Sequence, residues 1–251
     1  MNKKIIAVIP ARYASSRFPG KPLADIHGKP MLWWVYQQVA KVKEFDKVIV
    51  ATDDERIETV CKELEMNVIM TANTHSTGTE RTHEVATHVD SDYYVVVNGD
   101  EPLIAPETIR AILPPKTTPR EGYVANLIVS ISDPVEVVDN TNIKVVVDNE
   151  GYAVCFSRSP IPYPKKTLDF KYYKHLGILV YDKKALDFFV KSPLGRNEQI
   201  EDINELRFID NRFPVKMIAV EAKTLSVDTP KDLEKIKQII GSSLKNRNNV
   251  P

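Results

Sequence analysis

Short apolar runs alternate with amphipathic stretches along the first 113 residues of the chain. Ile5–Ile9, Lys47–Ala51, Asn67–Met70 and Tyr93–Val97 are brief runs, rich in β-branched or aromatic residues and followed by polar or turn-forming ones, which predicts strands. Between them, Met31–Lys41, Asp54–Leu64 and Thr79–Val89 repeat apolar residues every three or four positions, the spacing of helices with one buried face. Strand and helix in alternation predict an α/β fold, a doubly wound and mostly parallel sheet with crossover helices. Such sheets take ligands at the carboxyl ends of their strands, beside the point where strand order reverses. The loops at 10–22, 52–54 and 98–103 are therefore where chemistry is expected.

After Pro114 the pattern changes. ProProLysThrThrProArgGluGly forms a turn-rich link, and β-type runs follow at Tyr123–Ser132, Lys144–Asp148, Tyr152–Ser157 and Gly177–Tyr181. This half reads as a smaller mixed lid or dimerisation subdomain, about residues 115–215, inside a single domain spanning 1–242. Two prolines in Ser157–Tyr163 predict an ordered loop there. Helices are expected over Glu198–Arg207 and from Pro230 to about Ile240, the second capped by Asp228 or Thr229, with 243–251 as a flexible tail.

The 34 basic residues match the 34 acidic ones, so no global field recruits nucleic acid or an anionic membrane, and an anion site has to be local. Cys61 and Cys155 lie in apolar runs and read as small buried residues without a disulfide. The run Ile5–Ile9 is too short for a signal-peptide core, and no segment approaches the ~20 apolar residues of a membrane helix. A cytoplasmic protein is expected.

The loop after the first strand gathers Arg12, Arg17 and Lys21 around Gly20. Arginine forks, a lysine point charge and close backbone approach suit a polyphosphate, although a solvated basic loop has the same composition. The spacing is not that of a Walker A loop. AsnGlyAspGluPro, residues 98–102, places Asp100 at the edge of a central strand, where it is a natural magnesium ligand; the alternative is a simple turn, with Glu101 facing solvent. Asp228 meets a helix start, and its plain role is an N-cap. His75–Arg81 combines small hydroxyl residues and a glycine with a helix start, and His175 stands alone, without metal-ligand spacing to another histidine.

IleProAlaArgTyrAlaSerSerArgPheProGlyLysProLeu, AlaThrAspAsp, SerThrGlyThrGluArg, GlyAspGluPro, PheSerArgSerProIleProTyr, LysHisLeuGly and ValAspThrPro follow one another in this chain. In that order, from residue 3 to about 240, they resemble the CMP-Kdo synthetases (3-deoxy-manno-octulosonate cytidylyltransferases). The resemblance implies a nucleotide-diphospho-sugar transferase fold, usually dimeric, that uses CTP and Mg²⁺ to activate a 3-deoxy-2-keto sugar acid. By motif, Arg12 and Lys21 would hold the triphosphate, and Asp100 and Asp228 the magnesium ion. Pro10, Ala11, Gly78, Thr79 and Arg81 match cytosine contacts, while Ser15, Thr52 and Asn98 fall in the matching nucleotide-site motifs. Arg158 and His175 sit where the family binds its sugar acid.

Two departures fall at the sugar site: Asn98 replaces the usual Gln, and GluGlnLeuArg becomes Asn204–Glu205–Leu206–Arg207. The acceptor could accordingly be Kdo, an amino-Kdo or another acid, and a catalytically silent nucleotide-binding regulator is the alternative outside enzymes.

Overall fold

The computed structural model describes residues 3–14, 18–115, 122–222 and 225–248. The chain forms β1 (Ile5–Ala11), a 3₁₀ turn (Lys21–Leu23), β2 (Asp25–Ile26), β3 (Lys29–Pro30), α1 (Met31–Val39), β4 (Lys47–Thr52), α2 (Glu55–Glu63), β5 (Val68–Met70), α3 (Gly78–His88), β6 (Tyr93–Val97) and α4 (Pro106–Arg110). It continues with β7 (Val124–Ile131), α5 (Pro134–Val138), β8 (Lys144–Val147), β9 (Ala153–Ser157), β10 (Tyr172–Asp182), α6 (Lys183–Lys191), α7 (Arg196–Glu201), α8 (Glu205–Asp210), β11 (Lys216–Val220) and α9 (Pro230–Asn248).

The main sheet has the order β11-β7-β10-β6-β1-β4-β5, with β8 and β9 hung from β10. Strands β6, β1, β4 and β5 are parallel, β10 runs antiparallel to β6 and β7, and β11 is parallel to β7. The chain steps outward from β1 to β4 and β5, then returns to β6 on the other side of β1. The crevice at that reversal lies between the loops that follow β1 and β6.

Residues alternate along β1 between two cores. Ile5, Ala7 and Ile9 pack with Leu32 and Val35 of α1 and with Ile57 and Cys61 of α2, whereas Ile6 and Val8 pack with Val85 of α3 and Leu186 and Phe189 of α6. A strand with helices on both sides must be apolar on both, which is why β1 and β6 read as unbroken apolar runs. A third cluster, Ile26 and Met31 with Val227, Leu233 and Ile236, docks α9 and so carries the 226–229 loop to the end of β6. Each fully buried aliphatic side chain contributes about 1.5–3 kcal/mol.

The structure departs from the expectations at several places. The expected helix over Glu198–Arg207 is two helices, separated where Asp202 adopts a left-handed conformation (φ 51°). Strand β10 begins at Tyr172, well before Gly177, and α9 runs on to Asn248, past the residue where polar composition suggests a tail. Cys155 is exposed rather than buried. Elements α4, α5, α6 and β11 are additional to the expected ones, although Asp182 as N-cap and Ala185, Leu186 and Phe189 at helical spacing mark α6 and Asp133–Pro134 marks the start of α5. Within the 114–122 link, residues 116–121 lie outside the described residues, as do Ser15 and Arg17.

Candidate active site

Gly20 adopts φ 73° and donates its NH to the Tyr13 carbonyl at 2.9 Å. A Cβ there would stand 3.1 Å from the Tyr13 ring, so the turn that delivers Lys21 needs glycine on both counts. The Lys21 ammonium donates to Asp100 Oδ2 at 3.2 Å and to the Val227 carbonyl at 2.9 Å, and lies 3.8 Å from Asp228 Oδ1. The Val227 NH in turn donates to the Asp100 carbonyl at 2.9 Å, tying the two loops together. Two carboxylates far apart in sequence therefore face one cation.

Thr229, rather than Asp228, caps α9. The Thr229 NH donates to Asp232 Oδ2 at 2.9 Å, and the Asp232 NH returns to Thr229 Oγ1 at 3.3 Å. Among the described residues no group of three or more His, Cys, Asp or Glu forms a metal cluster. The Asp100–Asp228 pair suits a hard divalent ion that completes its shell with phosphate and water oxygens.

A cleft of about 230 Å³ runs beside the pair, lined by Pro10, Ala11, Arg12, Lys21, Gly78, Asn98 and Asp100. Arg12 donates Nη2 to the His75 carbonyl at 2.7 Å. Burial and the neighbouring Arg81 charge lower its pKa. Thr77 and Glu80 cap α3 reciprocally, which fixes Gly78 at the cleft wall.

Three expected nucleotide contacts, Arg81, Thr52 and Thr79, are not brought to this cleft. Arg81 is fully buried, holding Asp53 at 2.9 Å and also bonding Thr71. Thr52 is fully buried too, its hydroxyl accepting from the Asp54 NH at 3.3 Å. Both support the walls from behind. Thr79 turns away from the cleft toward Tyr181, with 3.4 Å between the hydroxyls.

Beyond Asn98 the cleft opens into two more chambers. One of about 220 Å³ is lined by Asn98, Asp100, Glu101, Asn142, Arg158, Lys174, His175 and Asp228. Another of about 170 Å³ is lined by Gly78, Thr79, Asn98, His175, Tyr181, Asn204 and Glu205. Asn98 is thus the partition shared by all three spaces.

Arg158 does not enter as a free fork. It donates Nε to the Glu201 carbonyl (2.7 Å), Nη1 to the Asn140 carbonyl (3.0 Å) and Nη2 to the Asp202 carbonyl (3.0 Å), leaving one hydrogen on each Nη. Lys144, fully buried, donates to the Asp139 and Asn142 carbonyls at 2.8 and 2.6 Å, bracing the same loop.

His175 Nε2 lies 3.6 Å from Glu205 Oε1, close enough for charge attraction but too long for a hydrogen bond, so that nitrogen retains an unused valence. Burial acts to raise the Glu205 carboxyl pKa, but the imidazole and a backbone hydrogen bond together outweigh it and the net shift is downward. Glu101, for which a solvent-facing position was the alternative, is buried with Oε2 unpartnered. Burial, then the Asp100 charge, pushes its carboxyl up to about 7. Nothing in AsnGlyAspGluPro shows that Glu101 is the more buried of the two carboxylates.

A doubly wound sheet with paired carboxylates and two cations at its switch point defines a nucleotidyltransferase. The chain belongs to the cytidylyltransferase family, whose model matches residues 6–248. It is 39% identical over 245 residues to a 3-deoxy-manno-octulosonate cytidylyltransferase of Solibacter usitatus, covering 97% of each chain. It is also 39% identical over 243 residues to an 8-amino-3,8-dideoxy-manno-octulosonate cytidylyltransferase of Shewanella putrefaciens, covering 95% of this chain and 99% of the relative. A solved CMP:2-keto-3-deoxy-manno-octonic acid synthetase complexed with CTP superposes with a TM-score of 0.88 at 39% identity, covering 96% of this chain and 99% of that one.

Proposed function

We propose that the protein transfers CMP from CTP to the anomeric hydroxyl of Kdo, releasing pyrophosphate, as a Mg²⁺-dependent cytoplasmic enzyme. The observation that carries this reading is the convergence of Asp100 and Asp228 on the Lys21 ammonium beside the cleft at the switch point of the sheet. Arg12, fixed by the His75 carbonyl, and Lys21 bind the triphosphate; the backbone of Pro10 and Ala11 and the start of α3 flank the base. Asp100 and Asp228 would hold the Mg²⁺ ion, which when bound offsets charge on the phosphate oxygens.

The acceptor lies beyond Asn98 among Arg158, His175, Asn204 and Glu205, with its carboxylate toward the two outer Arg158 hydrogens. Its anomeric oxygen forms the new bond to the α-phosphorus while the bond to the β-phosphate bridge breaks. The pyrophosphate carries the electron pair away, and the hydroxyl proton passes to solvent. No covalent enzyme intermediate is required.

A second acceptor, 8-amino-Kdo, is favoured by one observation. The smaller chamber is lined by two carboxylates, Asp202 and Glu205, against the single imidazole of His175, a lining that can take an ammonium group. Pyrophosphate release measured with CTP, Mg²⁺ and a panel of Kdo, 8-amino-Kdo and related acids tests both. The reading predicts turnover with Kdo. CTP binding without release across the whole panel would instead indicate a silent nucleotide-binding regulator.

The protein acts as a single domain over 1–242 and as a homodimer in this reading, with 115–215 supplying the lid and the subunit contact. Val135 and Val138 of α5, Val154 of β9, Leu168 and Ile200 of α7 stand exposed in that half. No helix among the described residues is long and apolar enough to cross a membrane.

A further inference from the structure

The β7–β10 ladder contains an irregularity beside the acceptor chambers. His175 pairs with Ile128, and the next pair is Leu179 with Asn126, so Leu176, Gly177 and Ile178 face the single residue Leu127. Such a bulge takes carbonyls out of the regular ladder, and buried carbonyls need donors. Here all three find one. Asn126 Nδ2 gives one hydrogen to the Leu176 carbonyl (2.8 Å) and the other to the Ile178 carbonyl (3.0 Å), while the Asn98 NH donates to the Gly177 carbonyl (2.8 Å).

Asn126 is fully buried, and its Oδ1 has no partner. Its amide is oriented entirely by what it donates. Few side chains could substitute at that position. A carboxylate has no donor, a hydroxyl has one, and an aliphatic group has none. The bulge also sets two positions in the site. It starts immediately after His175, whose Nε2 faces Glu205 at 3.6 Å. It also presses Gly177 against the partition, where a Cβ would clash with the Asn98 side chain.

We propose that Asn126 is a positioning residue for acceptor recognition, its carboxamide fixing the bulge that sets His175 against Glu205. The proposal rests on the acceptor site described under the proposed function. It assigns Asn126 no contact with either substrate.

Two arms test it. In the native protein, NMR exchange of the Asn126 side-chain amide should be strongly slowed; exchange as fast as that of an exposed asparagine would overturn the assignment, whatever the enzyme's activity. In the Asn126→Asp and Asn126→Leu variants, KM for the acceptor should rise roughly tenfold while KM for CTP stays within about twofold, because displacement of a positioning element is read at the site it positions. A fall in Tm with both KM values unchanged, or raised equally, would reduce Asn126 to a core residue and refute the proposal. Wild-type turnover run alongside separates the two readings. A wild type inactive on every acceptor condemns the acceptor assignment and with it the positioning role, while the exchange arm still reports on the bulge itself.

Discussion

Arg158 illustrates how a side chain legible in the sequence takes on a different task in the fold. The family resemblance implies that it contacts the sugar acid, yet three of its five hydrogens go to the carbonyls of Asn140, Glu201 and Asp202. Arg158→Lys keeps the charge but cannot span those carbonyls from a single nitrogen. We predict that this variant raises the acceptor KM by about tenfold with little change in the CTP KM, measured by pyrophosphate release with each substrate varied in turn. Equal shifts in both would argue against an acceptor-side role. Arg12 and Asp100 could be placed near a cleft because each stands just past an apolar strand, whereas Lys21 reaches it only through the Gly20 turn. Glu101, Asn126 and the burial of Arg81 could not be read, since each depends on which distant segment packs against it.

The N-terminus of α3 links the two halves of the site. Glu80 accepts from the Ser76 and Thr77 NH groups at 2.7 and 3.1 Å and lies 3.4 Å from Arg207 Nη1 of α8, which also pairs with Glu198 of α7 at 2.8 Å. Burial acts to raise the Glu80 carboxyl pKa, but the hydrogen bonds and the Arg207 charge prevail and hold it below its ordinary value of 4.5. A lowered carboxyl pKa adds stability that is fully present above the unfolded value and is lost as pH falls through the folded one. Glu80→Gln should therefore cost about 1 kcal/mol at pH 7 and progressively less as pH falls below about 4.5, a difference that paired thermal melts would read. A pH-independent cost would contradict it.

At this scale the apolar runs of β1, β4 and β6 and the three- or four-residue spacing of α1–α3 were legible because burial on both sheet faces dictates them. The break at Asp202 was hidden. An aspartate in a left-handed conformation is tolerated locally, and nothing in Glu198–Arg207 shows that Glu198 and Arg207 must turn toward each other across it.

For the molecule as a whole, the doubly wound half could be read from the alternation of elements. The mixed half could not be fully read, because β10 and β11 take their partners from across the chain. The exposed valines of α5 and β9 and Ile200 of α7 lead us to predict a dimer in sedimentation equilibrium. Val138→Lys with Ile200→Lys should shift it toward monomer, and a wild-type monomer at micromolar concentration would contradict the proposal.

The account stands on Asp100 and Asp228 acting together beside a bound triphosphate. Pyrophosphate release from CTP with Kdo, titrated with Mg²⁺ in the wild type and in Asp100→Ala and Asp228→Ala, tests that directly. The prediction is Mg²⁺-dependent turnover in the wild type and a loss of at least ~100-fold in each variant at saturating CTP. Turnover near the wild-type rate in either variant, or release that ignores Mg²⁺, would contradict it.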